Sequence, residues 1–491
     1  MQGMTPSNSP HISDKIDIRP DRISKNSLWI FLGLAGTASM YLVTIFFLTR
    51  YLGPEGFGLY SVALSLAGLF LPIADMGFDL HMTRTISANP QWLRQELSGT
   101  ISAKLIFTIA FWFLTLFTAF LLGYSLVLIG YTALMGLSLS IGSMAQAFIG
   151  AIRALQKMRY ESISLFAGRI VTMICILLMI ALKSGLTLIM VAHITGSIAG
   201  FVFALYFLKS QIGKLDLRFA LAGFMARFKG ALPFGLTAIF VAVYFRIDTV
   251  MLSKIVEAGE VGLYNAAYNI VLASMILSTP IVVAVFPVLS SLYKTQREQA
   301  NEVFRQGLKY SLIIALPLGT GTLLMANPAV RLAYGSEFSG SAVLLVILSG
   351  TIPLLFATNV LGNSLGAAGY QVRVAAVALF NALFNVALNL ILIPRIGARG
   401  AAIATLSTEA LGILQLLIML RGIYSISILT DFLKICLGCA VSAAMFLLFK
   451  DSLGVWPAAA LFATVYAALA LSFRLVSISN IKDMLLPREA D

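Results

Sequence analysis

An all-α polytopic membrane protein of fourteen transmembrane helices is the fold this sequence predicts, and three observations carry the prediction. The 491 residues are 59% hydrophobic and 11% charged, with mean hydropathy +0.92, too little polar surface for water to be the main solvent. The apolar runs are long enough for helices to cross roughly 30 Å of hydrocarbon and too long for barrel strands, and helices satisfy every backbone polar group in lipid. Lys and Arg alternate between rich and poor connections, as a membrane topology demands. A net charge of +13 would also suit nucleic acid, but the basic residues are spread along short connections instead of gathered on one domain, so no nucleic-acid partner is expected.

Residues 1–27 are polar and carry Pro6, Pro10 and Pro20, the composition of a disordered tail. The apolar run that follows is too long for a cleaved signal and lacks a cleavage site, so it is the first span. Spans are expected near 28–49, 57–80, 101–122, 126–150, 163–182 and 186–208, then 232–254, 261–288, 308–326, 341–362, 371–393 and 400–420, and finally 431–449 and 455–474. No charge interrupts Leu105 to Ile152, which holds two of them around a turn near Gly123. The longest internal connection, 209–231, mixes Lys214, Arg218, Arg227 and Lys229 with Leu217, Phe219, Leu221, Phe224 and Phe228. It reads as an amphipathic cytoplasmic linker lying on the inner membrane surface. Pro280, Pro287 and Pro317 fall inside expected helices and would kink them.

With the N-terminal tail in the cytoplasm, the outer connections hold only Arg50, Lys183, Lys254, Arg331, Arg395, Arg399 and Lys450. Apart from Arg246, the other basic residues fall on the inner side, and both termini are then cytoplasmic. Cys175, Cys436 and Cys439 lie in apolar spans without a nearby histidine, so no metal is expected.

The sequence repeats itself. Phe57-Gly58-Leu59-Tyr60 after the first span returns as Val261-Gly262-Leu263-Tyr264 after the seventh, and Ile149-Gly150-Ala151 is echoed by Leu365-Gly366-Ala367. Six helices separate equivalent points, so the repeats enter the membrane from the same side. The expectation is a six-helix lobe over 28–208, the linker 209–231, a second six-helix lobe over 232–420 around a central cavity, helices thirteen and fourteen over 421–474, and a tail from 475 to 491.

Arg50-Tyr-Leu-Gly-Pro-Glu-Gly-Phe-Gly-Leu-Tyr60, Asp75-Met-Gly77, Leu232-Pro-Phe-Gly235, Arg246-Ile-Asp248, Gly262-Leu-Tyr-Asn-Ala-Ala-Tyr268, Asn385-Val-Ala-Leu-Asn389 and Gly400-Ala-Ala-Ile-Ala-Thr-Leu-Ser-Thr-Glu409 resemble one family. It is the polysaccharide-biosynthesis oligosaccharide flippases of the multidrug/oligosaccharidyl-lipid/polysaccharide exporter superfamily. The resemblance covers about residues 25 to 425. It implies movement of a polyprenyl-diphosphate-linked oligosaccharide between leaflets of the bacterial cytoplasmic membrane, for O-antigen, capsule or exopolysaccharide. Membrane lipid, and a polymerase and other assembly proteins of such a pathway, would be its partners.

The candidate residues are the ionisable groups inside the spans. Arg246 lies roughly 12 Å from the outer helix end at about 1.5 Å per residue. Its forked donor suits a diphosphate, or else it snorkels outward or pairs with an acid on a neighbouring helix. Asp248 is no simple partner for it, because residues two apart point to opposite sides of a helix. Lys104 and Arg169 would admit a phosphate from the cytoplasm, or simply reach water. Asp75 and Asp79 share an expected helix face and suit a gate of ion pairs or a solvated helix end. Asp248 and Glu409 suit gating or coupling, or static pairing. His193, alone in its span, reads as a hydrogen-bonded interior residue. Asn381, Asn385 and Asn389 form a polar stripe for inter-helix bonds or sugar contacts.

No Gly-x-x-x-x-Gly-Lys-Ser/Thr loop is present, so no nucleotide cofactor is expected and a gradient remains as the drive for alternating access. A cation-coupled drug exporter is the reading of the same fold that competes, although the first span lacks an acidic residue. A membrane polymerase or ligase is the third, and the short outer loops disfavour an enzyme.

Overall fold

A computed structural model describes residues 20–213, 218–220, 222–425 and 427–476. The expected tails up to residue 19 and beyond 476, with Lys214, Leu217 and Leu221 of the linker, lie outside them. All regular elements among the described residues are helices, as lipid requires. They are α1 (Pro20–Asp75), α2 (Phe78–Ala88), α3 (Leu93–Leu121), α4 (Leu126–Ala154), α5 (Met158–Ala181) and α6 (Leu186–Ile212). Then follow α7 (Phe224–Ile255), α8 (Ala258–Ser274), α9 (Thr279–Leu292), α10 (Arg297–Leu324), α11 (Ala326–Tyr334) and α12 (Ser341–Ser349). The chain ends with α13 (Thr351–Ala367), α14 (Gln371–Ile396), α15 (Ala398–Leu420), α16 (Leu429–Leu453) and α17 (Val455–Ser472).

Among the described residues, 12 helices are long and apolar enough to span a membrane, or 13 if the bent pair α12 and α13 is one span. The count is therefore not the expected fourteen. The difference sits in Leu32–Ala88, counted once although it has 57 residues, which at about 1.5 Å per residue would run far beyond a bilayer. Inside it Gly53 adopts φ 64°, ψ 178°, left-handed backbone that only glycine takes without strain, and Pro54 follows. The expected helix 261–288 is likewise divided. α8 gives way to a 3-10 turn, Met275–Leu277, and Pro280 then stands in the first turn of α9, where its missing N–H removes no helical bond. Pro287 and Pro317 stay inside α9 and α10.

Two compact units emerge, and each draws on both halves of the sequence. The first comprises residues up to Tyr41, Phe70–Thr118 and Ala133–Ala238. Its core joins Met82 and Ile86 of α2 to Leu97 of α3, Phe148 and Ile152 of α4 and Leu208 of α6. The start of α7 belongs here as well. Phe224 and Phe228 stack with Phe78 and Phe107 at centroid distances of 5.7 to 6.5 Å. The last part of the expected surface linker is thus helical and packed. Arg227 within it is buried, with its Nε 3.1 Å from Glu96.

The second unit comprises Leu42–Leu69, Ala119–Thr132 and residues from Ile239 onward. Its core gathers Phe304 and Leu312 of α10, Leu361 of α13, Leu416 of α15, Ile435 of α16 and Tyr466 of α17. The two copies of the sequence repeat meet inside it. A Cβ on Gly58 would strike the carbonyl of Ala258, and a Cβ on Gly262 would strike the carbonyl of Pro54. Each glycine therefore lets the partner backbone approach, in a reciprocal crossing that follows the repeat.

Candidate functional site

α7 separates Arg246 from Asp248. Asp248 is buried, and three neutral groups donate to it: the Tyr264 hydroxyl at 2.8 Å, the Thr405 hydroxyl at 2.9 Å and the Asn389 amide at 2.6 Å. Asn389 also donates to Asn385 at 2.9 Å, which leaves Asn385 Nδ2 and Asn389 Oδ1 without partners among the described residues. A carboxylate so placed has no ion-pair partner among the described residues and depends on these dipoles.

Arg246 is half-buried and makes no hydrogen bond or ion pair among the described residues. Its guanidinium lies against the backbone of Gly68, with Tyr268 as a charged-field neighbour. Its five N–H donors in a planar fork are therefore free for an anion.

Glu409 of α15 is buried and accepts hydrogen bonds from Tyr244 of α7 and from Thr358 of α13, the latter at 3.3 Å. It too has no basic partner among the described residues. Tyr244 and Tyr264 thus give each of the two buried acids of the second unit an aromatic hydroxyl.

In the first unit, Lys104 is fully buried, and its ammonium lies 2.9 Å from Asp75, 2.5 Å from Asp79 and 2.7 Å from the carbonyl of Ser143. An ammonium has three donors and all are used here, so the phosphate contact expected of Lys104 finds no free donor. Asp75 and Asp79 do not share one continuous helix face as expected. Met76 (φ 45°) and Gly77 (φ 80°) break the chain between α1 and α2, and Asp75 accepts the N–H groups of Gly77 at 3.2 Å and Asp79 at 3.3 Å. Arg169 is exposed on α5 near His193, whose carbonyl accepts from Ser138 at 3.1 Å. The asparagine stripe divides, since Asn385 and Asn389 join Asp248 while the Asn381 amide packs on Gly412 of α15.

The model of the polysaccharide biosynthesis protein family matches residues 23–293, more than half of the chain. The chain belongs to the polysaccharide biosynthesis protein family. The model of the lipid II flippase MurJ also matches, over residues 169–466.

Among relatives of this family member is "Probable low-salt glycan biosynthesis flippase Agl15" of Haloferax volcanii, 27% identical over 33% of this chain and 34% of that protein. Another is "Putative O-antigen transporter" of Shigella flexneri, 26% identical over 67% of this chain and 81% of that protein. The chain spans about a third of the length of the Haloferax relative it matches. In fold it is similar to "Lipid II flippase MurJ, inward closed conformation", with TM-score 0.72 and 18% identity over 92% of this chain and 98% of that one.

Sequence reading of this polysaccharide biosynthesis family member finds the ionisable residues and misses their partners. Tyr264, assigned to the repeat alone, is a ligand of Asp248. Thr405 stands within a motif already quoted and Tyr244 two residues before Arg246, yet their spacing does not say which acid each would meet. Glu96 and Arg227, 131 residues apart, leave no local signal.

Proposed function

We propose that the protein is a flippase that moves a polyprenyl-diphosphate-linked oligosaccharide repeat unit across the bacterial cytoplasmic membrane, for surface polysaccharide assembly. The observation that carries the reading is Arg246, a half-buried guanidinium in a membrane-spanning helix with no acidic partner among the described residues. Desolvating such a group is unfavourable unless an anion meets it, and a bidentate diphosphate matches its fork. Membership of the polysaccharide biosynthesis family and the flippase and transporter names of the relatives support the cargo class.

In this reading the headgroup crosses between two six-helix lobes, 28–208 and 232–420, while the prenyl tail stays in lipid. Both termini face the cytoplasm, and a polymerase and other assembly proteins act on the product. Arg246 holds the diphosphate and exposed Arg169 meets it earlier on its path. Asp248 and Glu409 are the coupling groups, since each is a buried acid satisfied by neutral donors and therefore sensitive to a cation or proton gradient. Asn385 and Asn389 orient Asp248, which favours an internal role over sugar contact.

The test is reconstitution in proteoliposomes with a fluorescent polyprenyl-diphosphate saccharide under imposed ion and potential gradients. Gradient-dependent translocation is expected. Absence of translocation of any such lipid under every gradient would sink the reading.

A further inference from the structure

We infer that Asp75 and Asp79 together bind one exchangeable proton, carried on Asp79 beside the buried ammonium of Lys104. The count of charges comes first. Lys104 has no exposed surface and spends its three donors on Asp75, Asp79 and the Ser143 carbonyl. One cation therefore faces two carboxyl groups, and two ionised carboxylates would leave an uncompensated negative charge beside a like charge.

The oxygens divide the two roles. Asp75 accepts from Lys104, from the Gly77 N–H at 3.2 Å and from the Asp79 N–H at 3.3 Å, three donors that stabilise an ionised group. Asp79 accepts from Lys104 through Oδ2 only, and its Oδ1 is buried with no partner among the described residues. Both carboxyl groups lie against the same ammonium, at 2.9 Å and 2.5 Å. A buried carboxyl oxygen that meets no donor favours the neutral form, and Asp79 Oδ1 is the atom left to carry the proton.

The other charges around the pair do not change this balance. Arg153 of α4 is close to Asp79, but its guanidinium is held by Glu161 at 2.5 Å, a pair neutral by itself. His81 and Arg84 stand on Asp79's own helix, and the His81 ring lies on Gly230 beside the neutral Arg227–Glu96 pair. The side chains of Asp75 and Asp79 are 28% and 19% exposed while Lys104 is closed off.

The site sits on a break in the backbone. Asp75 is the group that holds the Gly77 N–H there, and Gly77 lies against the Ala231 carbonyl and Gly235 of α7. Loss of the proton places a second negative charge next to Asp75 and draws Lys104 away from Asp75, so proton occupancy sets how firmly this break packs on α7. The inference goes beyond the flippase reading and does not depend on the cargo.

The experiment is infrared difference spectroscopy of the purified full chain in lipid nanodiscs, titrated through neutral and alkaline pH. Wild type is expected to show a carboxylic-acid carbonyl band that disappears with rising pH, and Asp79→Asn to lack that component. Asp248→Asn and Glu409→Gln separate the two buried acids that are held by neutral donors and should retain it. An Asp79→Asn spectrum with the full band, or a band displaced by sodium at fixed pH, overturns the inference. Should Asp79→Asn fail to fold, Asp75→Asn serves instead. Removal of the neighbouring negative charge must shift the Asp79 band, and an unshifted band overturns the inference equally.

Discussion

Arg227→Ala is expected to destabilise the protein by about 3–5 kcal/mol, the range for a buried pair that loses one member. Arg227 Nε lies 3.1 and 3.2 Å from the two Glu96 oxygens, and Nη1 donates to the Ala222 carbonyl at 2.6 Å. The side chains are 7% and 10% exposed, and Gly99 leaves the space that the guanidinium fills. Alanine would strand the Glu96 carboxylate, the Ala222 carbonyl and an unfilled volume at the start of α7. The phenylalanine cluster of Phe78, Phe107, Phe224 and Phe228 still holds that helix end, so the loss should be read as stability and not as failed insertion. Detergent-induced unfolding in mixed micelles, followed by tryptophan fluorescence, measures it. The double variant Glu96→Gln with Arg227→Met removes both charges and should recover most of the loss. A penalty for Arg227→Ala under about 1 kcal/mol, the level of an exposed surface pair, would refute the reasoning, as would a double variant no more stable than the single one.

Arg246→Ala should abolish or strongly reduce headgroup transport while leaving thermal stability near wild type, because no ion pair or hydrogen bond is lost; wild-type translocation in proteoliposomes would remove it from the site. Gly58→Ala and Gly262→Ala each drive a Cβ into a backbone carbonyl that cannot swing aside, and a penalty of about 1–3 kcal/mol is expected from each; unfolding curves unchanged from wild type would contradict the crossing. Asp248→Ala should destabilise more than Asp248→Asn, since alanine leaves Tyr264, Thr405 and Asn389 without their acceptor, and equal unfolding midpoints for the two would count against that network. Tyr244→Phe removes a donor to Glu409 and is expected to alter the gradient dependence of transport more than its amplitude at saturating gradient, measured by flux against imposed pH or sodium steps.

Periodicity and charge asymmetry made the helices legible, because a span in lipid must be apolar along its whole length and each connection must choose a side. The breaks were less legible. Pro280 signals a kink within 261–288 and not a separate α9, nothing local distinguishes Met76–Gly77 from a continuing helix, and the turn there depends on Asp75 and on α7 packing across it. Arg246 and Asp248 were recognised as facing different neighbours from their spacing alone. Lys104 was expected to be accessible because it stands near a helix start, and the sequence holds no sign that Asp75, Asp79 and Ser143 close around it.

By itself the sequence determined an all-helical membrane protein, a repeat centred on Gly58 and Gly262, and a short set of ionisable residues within apolar spans. These follow from the bilayer, which selects against every other backbone and nearly every other charge. Only the tertiary structure decided which of those charges are neutralised. Lys104 and Arg227 prove to be occupied by Asp75, Asp79 and Glu96, Asp248 and Glu409 to be held by neutral hydroxyls and an amide, and Arg246 to be left without an acid among the described residues. The physical reason is that a charge is compensated through space over a few ångströms, and helices bring together residues more than a hundred positions apart that no local pattern connects.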